Sequence, residues 1–205
     1  MIERIALFDL DGSLADYDLA LRRDLISLMS PAELELGQKD LWRVERHSYI
    51  HNRMQMIKNQ PGWWLSLPRI EAGFEIVQMA MDIGYNVQIL TKGPGSHPAA
   101  WKEKLEWCQQ QPELKNVPVH IVSDKSLVYG HVLYDDYPSY LDSWLNNRVR
   151  GFGIMPVTDY NKSYYHERVI HWSKDSADER KHIRSVLELM YNRKPKEMID
   201  VPRMV

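Results

Sequence analysis

Two pairs of carboxylates dominate the chemistry this sequence could do. Asp9 and Asp11 lie two residues apart just past the apolar run Ile5-Ala6-Leu7-Phe8, and Asp135 and Asp136 stand side by side after Val132-Leu133-Tyr134. Adjacent acids repel unless a cation or a proton neutralises them. Four of them meeting from two strand ends would form a hard, all-oxygen cation site, and Mg²⁺ suits such a set when a substrate phosphate completes it. Two more strand ends lie between the pairs. Thr91-Lys92-Gly93, after Ile89-Leu90, places a hydroxyl, a cation and a glycine where a phosphate could be held, and Lys125 follows Ser123-Asp124. Phosphoryl transfer asks mainly for positioning and charge stabilisation, which these residue types supply. Each segment also has a plainer use. Asp-x-Asp-Gly can be a strand end running into a turn, and acids before Pro138 suit a helix N-terminus. The order of the segments along the chain argues against coincidence.

The elements that must position these residues alternate. Ile5–Phe8, Asn86–Leu90, Val117–Val122, Val132–Tyr134 and Val149–Met155 read as short buried strands. Helices are expected over Phe74–Ile83, Pro98–Gln110 and Pro138–Leu145. In the second of these, Trp101, Leu105 and Cys108 share a face, and Trp101, Trp107 and Met81 read as core. Ser176-Ala177-Asp178-Glu179 reads as a capping box opening a last helix, with Ile183, Val186, Leu187 and Met190 turned inward. This alternation predicts an α/β fold built on a doubly wound parallel sheet. Ligands of such sheets bind at the carboxyl ends of the strands, where Asp9 and Asp11 lie. Residues 17–66 break the alternation. Leu19, Leu21, Leu25, Ile26 and Met29 recur at helical spacing, Ser30-Pro31-Ala32-Glu33 looks like a helix start, and Asp40–Ile57 reads as a further helix. The expected organisation is a core of residues 1–16 and 67–193, a small helical cap over 17–66 inserted after the first strand, and a C-terminal arm over 194–205.

Composition excludes several classes. The chain has 205 residues, 44% of them apolar, and a net charge of -2, so it lacks the basic excess of a polyanion binder and nucleic acid is not the expected partner. No apolar run approaches the ~18 residues of a membrane span. A single cysteine, Cys108, precludes an internal disulfide framework and suits a reducing compartment, so a cytoplasmic setting is expected. The sequence leaves open whether the protein forms a homodimer. His47 and His51, four apart, have no further metal-ligand pattern around them, and a zinc site there is not expected.

The four acid, hydroxyl and lysine segments resemble the motifs of the haloacid dehalogenase (HAD) superfamily of phosphatases. The likeness is closer to the 5'(3')-deoxyribonucleotidases. It rests on Asp9-Leu10-Asp11-Gly12-Ser13-Leu14-Ala15-Asp16, on Trp63-Trp64-Leu65-Ser66-Leu67-Pro68, on Asp124-Lys125-Ser126-Leu127-Val128-Tyr129-Gly130 and on Tyr134-Asp135-Asp136, and it extends over about residues 1 to 160. Departures are Ser13 for the common Val or Thr, Lys92-Gly93-Pro94-Gly95 where Ser-Pro is frequent, and His131 where Asp is frequent. The helix after Ser176 has no clear counterpart.

The resemblance implies a Mg²⁺-dependent phosphomonoesterase working on a nucleoside monophosphate. Asp9 would be the nucleophile and Asp11 the acid and base. Thr91 would donate to a phosphoryl oxygen and Lys125 would neutralise the phosphorylated Asp9. The metal set would be Asp9, Asp135 and Asp136, with Asp11 joining through its backbone carbonyl. Lys92, Trp63 and Trp64 are the candidates to hold substrate, the tryptophans by stacking on a base or by packing cap against core, and Arg53, Gln55 and Lys58 are within plausible reach of a base or sugar. A polynucleotide 3'-phosphatase, another small-molecule phosphatase of the superfamily and a non-catalytic module with the same fold are the competing readings.

Overall fold

The computed structural model describes residues 3–30, 48–95, 97–174 and 176–194. Six parallel strands form one sheet: β1 (Ile5–Phe8), β2 (Asn86–Lys92), β3 (Val119–Val122), β4 (Val132–Tyr134), β5 (Phe152–Pro156) and β6 (Val169–Trp172). Their order across the sheet is β3-β2-β1-β4-β5-β6. The chain winds outward from β1 to β3, then crosses over to β4 on the other side. β1 therefore lies at the switch point, where loops diverge and leave a crevice at the strand ends. Pairing sets Phe8 opposite Tyr134 and Ile89, so the residues after β1 and β4 emerge side by side. The Asp9 N–H donates to the Tyr134 carbonyl at 2.8 Å and extends that register by one residue.

Both faces of the sheet are covered, as a parallel sheet requires. Ala6 and Phe8 enter one apolar cluster, while Leu7 enters a second with Leu90, Leu133, Leu141, Trp144 and Met155. Among the described residues the helices are α1 (Tyr17–Ile26), α2 (Tyr49–Lys58), α3 (Glu71–Ile83), α4 (Pro98–Gln110), α5 (Pro138–Asn146) and α6 (Ala177–Tyr191). Their ends follow local chemistry. Asp16 caps α1 by accepting from Leu19 N, and Ser48 caps α2 by accepting from His51 N. Gly84 ends α3 in the left-handed conformation that helix C-termini favour. Ser176 caps α6 as expected, but Glu179 turns its carboxylate to Ser173 instead of back to the cap residue.

The structure departs from the sequence expectations at several elements; β3, expected from Val117, starts at Val119. The strand β6 went unread because it is an edge strand with polar flanks and only one fully buried side chain, Trp172. The strand expected from Val149 starts at Phe152, and Val149 is exposed. On α4 the buried side chains are Ala100, Glu103, Lys104, Trp107 and Cys108, whereas Trp101 and Leu105 are exposed. The helix is thus rotated from its apolar stripe, with a lysine buried in place of a tryptophan. Of the helical segment after β1, α1 and α2 pack on each other; Ser30-Pro31-Ala32-Glu33 extends outside the described residues, as do residues 40–47 of the helix expected over Asp40–Ile57. Among the described residues no helix is long and apolar enough to cross a membrane.

Entry to and exit from that helical segment are stitched together. Asp16 N donates to Pro68 O at 2.7 Å and Ile70 N to Leu14 O at 2.8 Å. Gly73, in the first turn of α3, lies so close to this loop that a Cβ there would stand 2.3 Å from the Ser13 carbonyl oxygen. A methyl at Gly73 must push the Asp9–Asp16 loop aside. Gly73→Ala is expected to cost about 1–3 kcal/mol of stability, the range for overpacking. Urea unfolding checks this, and a Gly73→Ala variant with unchanged stability would contradict it.

Candidate active site

Asp9 leaves the end of β1 and Asp135 the end of β4, and both side chains are buried between their strands and the loops above. Ligand oxygens of Asp9, Asp135 and Asp136 all lie within 4.8 Å of one another, the one such group among the described residues. Lys125, in the short helical turn Lys125–Leu127 after β3, reaches into the cluster. Its Nζ is 2.5 Å from Asp9 Oδ1 and 2.6 Å from Asp135 Oδ2. Burial works against this ammonium charge, but Asp135 and Asp9 hold its pKa above the ordinary lysine value.

One ammonium serves three buried acids. Burial pushes the Asp9 pKa up to about 7; Lys125 opposes the rise while Asp135 and Asp11 add to it. Asp135 is raised by burial against the pull of Lys125, and Asp136 is raised well above the carboxylate range by burial and by Asp9 and Asp135. A surplus of buried negative charge, with oxygen-only donors, is what a hard divalent cation relieves. These residues fit a hard divalent cation.

Further contacts hold the acids still. The Asp135 Oδ1 accepts from Tyr137 N at 2.9 Å. Asp136 accepts from Ser13 Oγ at 3.1 Å and from the Tyr160 hydroxyl, while its backbone carbonyl accepts from Asn161 Nδ2 at 2.8 Å. Gly12 has φ +78°, and a Cβ on it would stand 2.3 Å from Asp136 Oδ2. Only glycine lets the first loop cross so close to the second acid pair. Ser13, a departure from the family pattern, thus has a defined task beside Asp136.

Asp11 takes a different position. Its Oδ2 is 2.5 Å from Lys104 Nζ, and its Oδ1 is buried without a partner among the described residues. Its side chain is not in the three-acid group. Thr91 is fully buried, and its hydroxyl accepts from Lys104 Nζ at 3.3 Å; the Lys92 carbonyl accepts from the same nitrogen at 2.7 Å. Lys104 is therefore a central residue that the sequence reading missed. Its one available signal was a lysine on α4 three residues after Trp101, and that pattern pointed to solvent.

A cavity of about 320 Å³ opens over these groups, lined by Asp9, Asp11, Lys92, Lys104, Lys125 and Asp136, with Tyr17, Asp18 and Trp64 toward the helical segment. Its volume is at the lower end of the ~300–1,000 Å³ range of small-molecule sites. Trp64 lines it but Trp63 does not. Both indoles are buried, and their N–H groups donate to Lys58 O and Asp24 Oδ2, so they tie the segment after β1 together. Glu103 of α4 accepts from Gly62 N at 2.8 Å and Trp64 N at 3.1 Å, fastening that segment to the helix that carries Lys104. Arg53, Gln55 and Lys58 do not line the cavity.

The parallel sheet with this carboxylate and lysine set at its strand ends has the haloacid dehalogenase-like fold. The chain is similar in fold to a haloacid dehalogenase-like family hydrolase of Xanthomonas campestris, with a TM-score of 0.52 and 16% identity over 94% of this chain and 99% of that one. It is also similar to a haloacid dehalogenase-like protein of Burkholderia xenovorans, with a TM-score of 0.51 and 15% identity over 91% and 96% of the two chains. A protein of Thermotoga maritima described as a candidate β-phosphoglucomutase gives a TM-score of 0.53 and 14% identity over 91% and 99%. No curated protein matches the sequence closely enough to count as a relative. Residues 3–179 match the family described as 5' nucleotidase, deoxy (pyrimidine), cytosolic type C protein (NT5C). The chain belongs to this family, the 5'(3')-deoxyribonucleotidases, and the match runs beyond residue 160 to take in β6.

Protons and metal compete for the three acids. The proton on Asp9 stabilises the metal-free fold fully below the ordinary carboxylate value of 3.8, and that contribution is lost as pH rises through about 7. Added Mg²⁺ is expected to raise the midpoint of thermal unfolding, and to raise it more at pH 8 than at pH 6 because fewer protons must be displaced. Equal shifts at the two pH values, or none, would count against a metal held by these carboxylates.

Proposed function

We propose that this protein hydrolyses the phosphate monoester of (deoxy)ribonucleoside monophosphates through a phosphorylated Asp9, with Mg²⁺ as cofactor. The reading is carried by Lys125 bridging Asp9 and Asp135 inside the three-acid group, at the wall of a cavity sized for a small molecule. Family membership supplies the substrate class.

In the first step an Asp9 carboxylate oxygen bonds to phosphorus, and the bond from phosphorus to the leaving nucleoside oxygen breaks. Asp11 gives its proton to that oxygen. In the second step Asp11 takes a proton from water, the water oxygen bonds to phosphorus, and the bond to Asp9 breaks to release phosphate and restore the carboxylate. Splitting one difficult displacement into two lowers each barrier, and one residue serves as acid and then base. The unpartnered Oδ1 of Asp11 leaves an oxygen for this proton, while Lys104 holds Oδ2. Lys125 offsets negative charge on Asp9 and its phosphoryl group. Thr91 positions Lys104 by accepting from its Nζ, and its own hydroxyl hydrogen would serve a phosphoryl oxygen. Asp9, Asp135 and Asp136, with the Asp11 backbone carbonyl, would hold the metal ion, which supplies positive charge to the phosphoryl oxygens. Lys92, at the cavity wall, would meet an outer phosphate oxygen.

The described parts of the helical segment after β1, residues 17–30 and 48–66, would serve as a cap over this centre, with Tyr17, Asp18 and Trp64 in the cavity wall. A lone, buried cysteine and the cytosolic type in the family description support a cytosolic setting.

Asp9→Asn is expected to remove turnover of nucleoside monophosphates and of p-nitrophenyl phosphate with Mg²⁺ while the protein stays folded by circular dichroism. A kcat near that of the wild type would refute the scheme. Lys104→Met should lower kcat/KM about 10- to 100-fold, the range for losing a hydrogen bond to a charged group. Steady-state kinetics across nucleoside monophosphates, with a 3'-phosphorylated oligonucleotide for comparison, reads both variants and tests the substrate class. A clear preference for the oligonucleotide would replace the mononucleotide reading.

A further inference from the structure

The chain that leaves β2 at Lys92 forms one wall of the cavity, which Lys92, Gly93, Pro94 and Gly95 all line. Three backbone groups of this 92–95 loop are anchored. The Lys92 carbonyl accepts from Lys104 Nζ at 2.7 Å, and Gly93 N donates to Val122 O at 3.1 Å. The Pro94 carbonyl accepts from Trp101 Nε1 at 3.1 Å and from His97 N at 3.3 Å. Two of these anchors are side chains of α4, three residues apart.

Trp101 is not a core residue. It is 38% exposed and stands apart from the apolar cluster that Ala100, Trp107 and Cys108 enter. Its indole lies against Gly93 instead: a Cβ built on Gly93 would stand 2.2 Å from Trp101 Cε2 and 2.4 Å from its Cζ2. The missing side chain at position 93 is what lets the ring touch the loop backbone. Glycines on both sides of Pro94 give the unrestrained chain many conformations, and ordering it costs entropy. The indole offsets that cost through its contact with Gly93 and its hydrogen bond to Pro94.

The loop carries a cation. Lys92 is exposed, and its Nζ lies 5.1 Å from the centre of the Tyr140 ring. Lys125 Nζ lies 4.7 Å from the centre of the same ring and 2.5 Å from Asp9 Oδ1. The electron-rich face of an aromatic ring attracts ammonium groups, so Tyr140 steadies the tip of Lys92 while the loop anchors fix its base.

We propose that Trp101 is a positioning residue: it fixes the 92–95 loop on α4 and so keeps the Lys92 ammonium at the cavity wall to bind a phosphate dianion. This rests on the phosphate role given to Lys92 above. The two α4 side chains divide the work. Lys104 holds the Lys92 carbonyl together with Asp11, and Trp101 holds the loop beyond it. Trp101 therefore acts through Lys92 and leaves the grip on Asp11 to Lys104.

Isothermal titration calorimetry with inorganic phosphate in the presence of Mg²⁺ reads this without turnover. Lys92→Met is expected to raise the Kd for phosphate about tenfold, the lower end of the range for losing a hydrogen bond to a charged group. Trp101→Leu is expected to raise it about 3- to 10-fold, but by less than about twofold in the Lys92→Met background, because residues that act as one unit are not additive. A merely structural role for Trp101 would give the same loss in both backgrounds, and that result overturns the proposal. Full affinity in Trp101→Leu or in Lys92→Met overturns it too, as does a wild type that binds no phosphate. Should Trp101→Leu fail to fold, Gly93→Ala, whose methyl must displace the indole, takes its place with the same expected values. A wild type that shows this pattern yet hydrolyses no nucleoside monophosphate upholds the role of Trp101 and removes the nucleotidase reading.

Discussion

The structure turns on an imbalance of charge that the fold keeps out of water. Asp9, Asp135 and Asp136 are buried together, and among the described residues Lys125 is the one ammonium paired with the first two. Buried like charges are costly unless something neutralises them. The protein meets that cost in part with hydrogen bonds, from Ser13 and Tyr160 to Asp136 and from Tyr137 N to Asp135. What remains unbalanced is the capacity to bind a cation. The acids stay ready for chemistry because their folded environment does not fully satisfy them.

Holding such a set together takes backbone precision more than side-chain variety. Parallel pairing of β1 with β4 brings Asp9 and Asp135 out beside each other. Gly12 lets the first loop pass against Asp136, and Gly73 lets α3 lie directly on that loop. Asn161 clamps the Asp136 backbone from the far side and also donates to Pro156 O at the end of β5. These restraints act on main chain, which a loop cannot readily shift. That is how a site is held to the tolerance catalysis demands.

The similarity to solved structures is in fold, at 14–16% identity, so it says nothing of the substrate. The substrate class comes from the family, and selectivity within that class must come from the groups that face the cavity above the phosphate. There the helical segment and the core contribute differently. The segment after β1 is stitched at its base by Asp16, Pro68, Leu14 and Ile70, fastened by Glu103 to α4, and packed around its own aromatic cluster. The core contributes the tyrosines that follow the last acid pair and the β5 loop.

Much of this was legible in one dimension. Strand-end acids, the Asp-x-Asp-Gly turn, the hydroxyl at Thr91, Lys125 and the β-α alternation are local patterns, fixed by residue type and by distance along the chain. They were enough to identify the fold and to mark the acids and the lysine that meet at the strand ends. Local pattern failed where burial is decided by a partner far away. On α4 hydrophobicity favoured Trp101 for the interior, yet Lys104 is buried because Asp11, 93 residues earlier, meets its ammonium. Tyr160 and Asn161 lie in a loop with no periodicity and matter only because the sheet carries them to Asp136, and β6 escaped notice because an edge strand buries little of its own. The sequence by itself determined which chemistry this protein carries, since that depends on residue types at strand ends. Which lysine serves Asp11 and which indoles are sealed against each other were decided by tertiary packing alone, because electrostatic pairing and burial depend on distance through space.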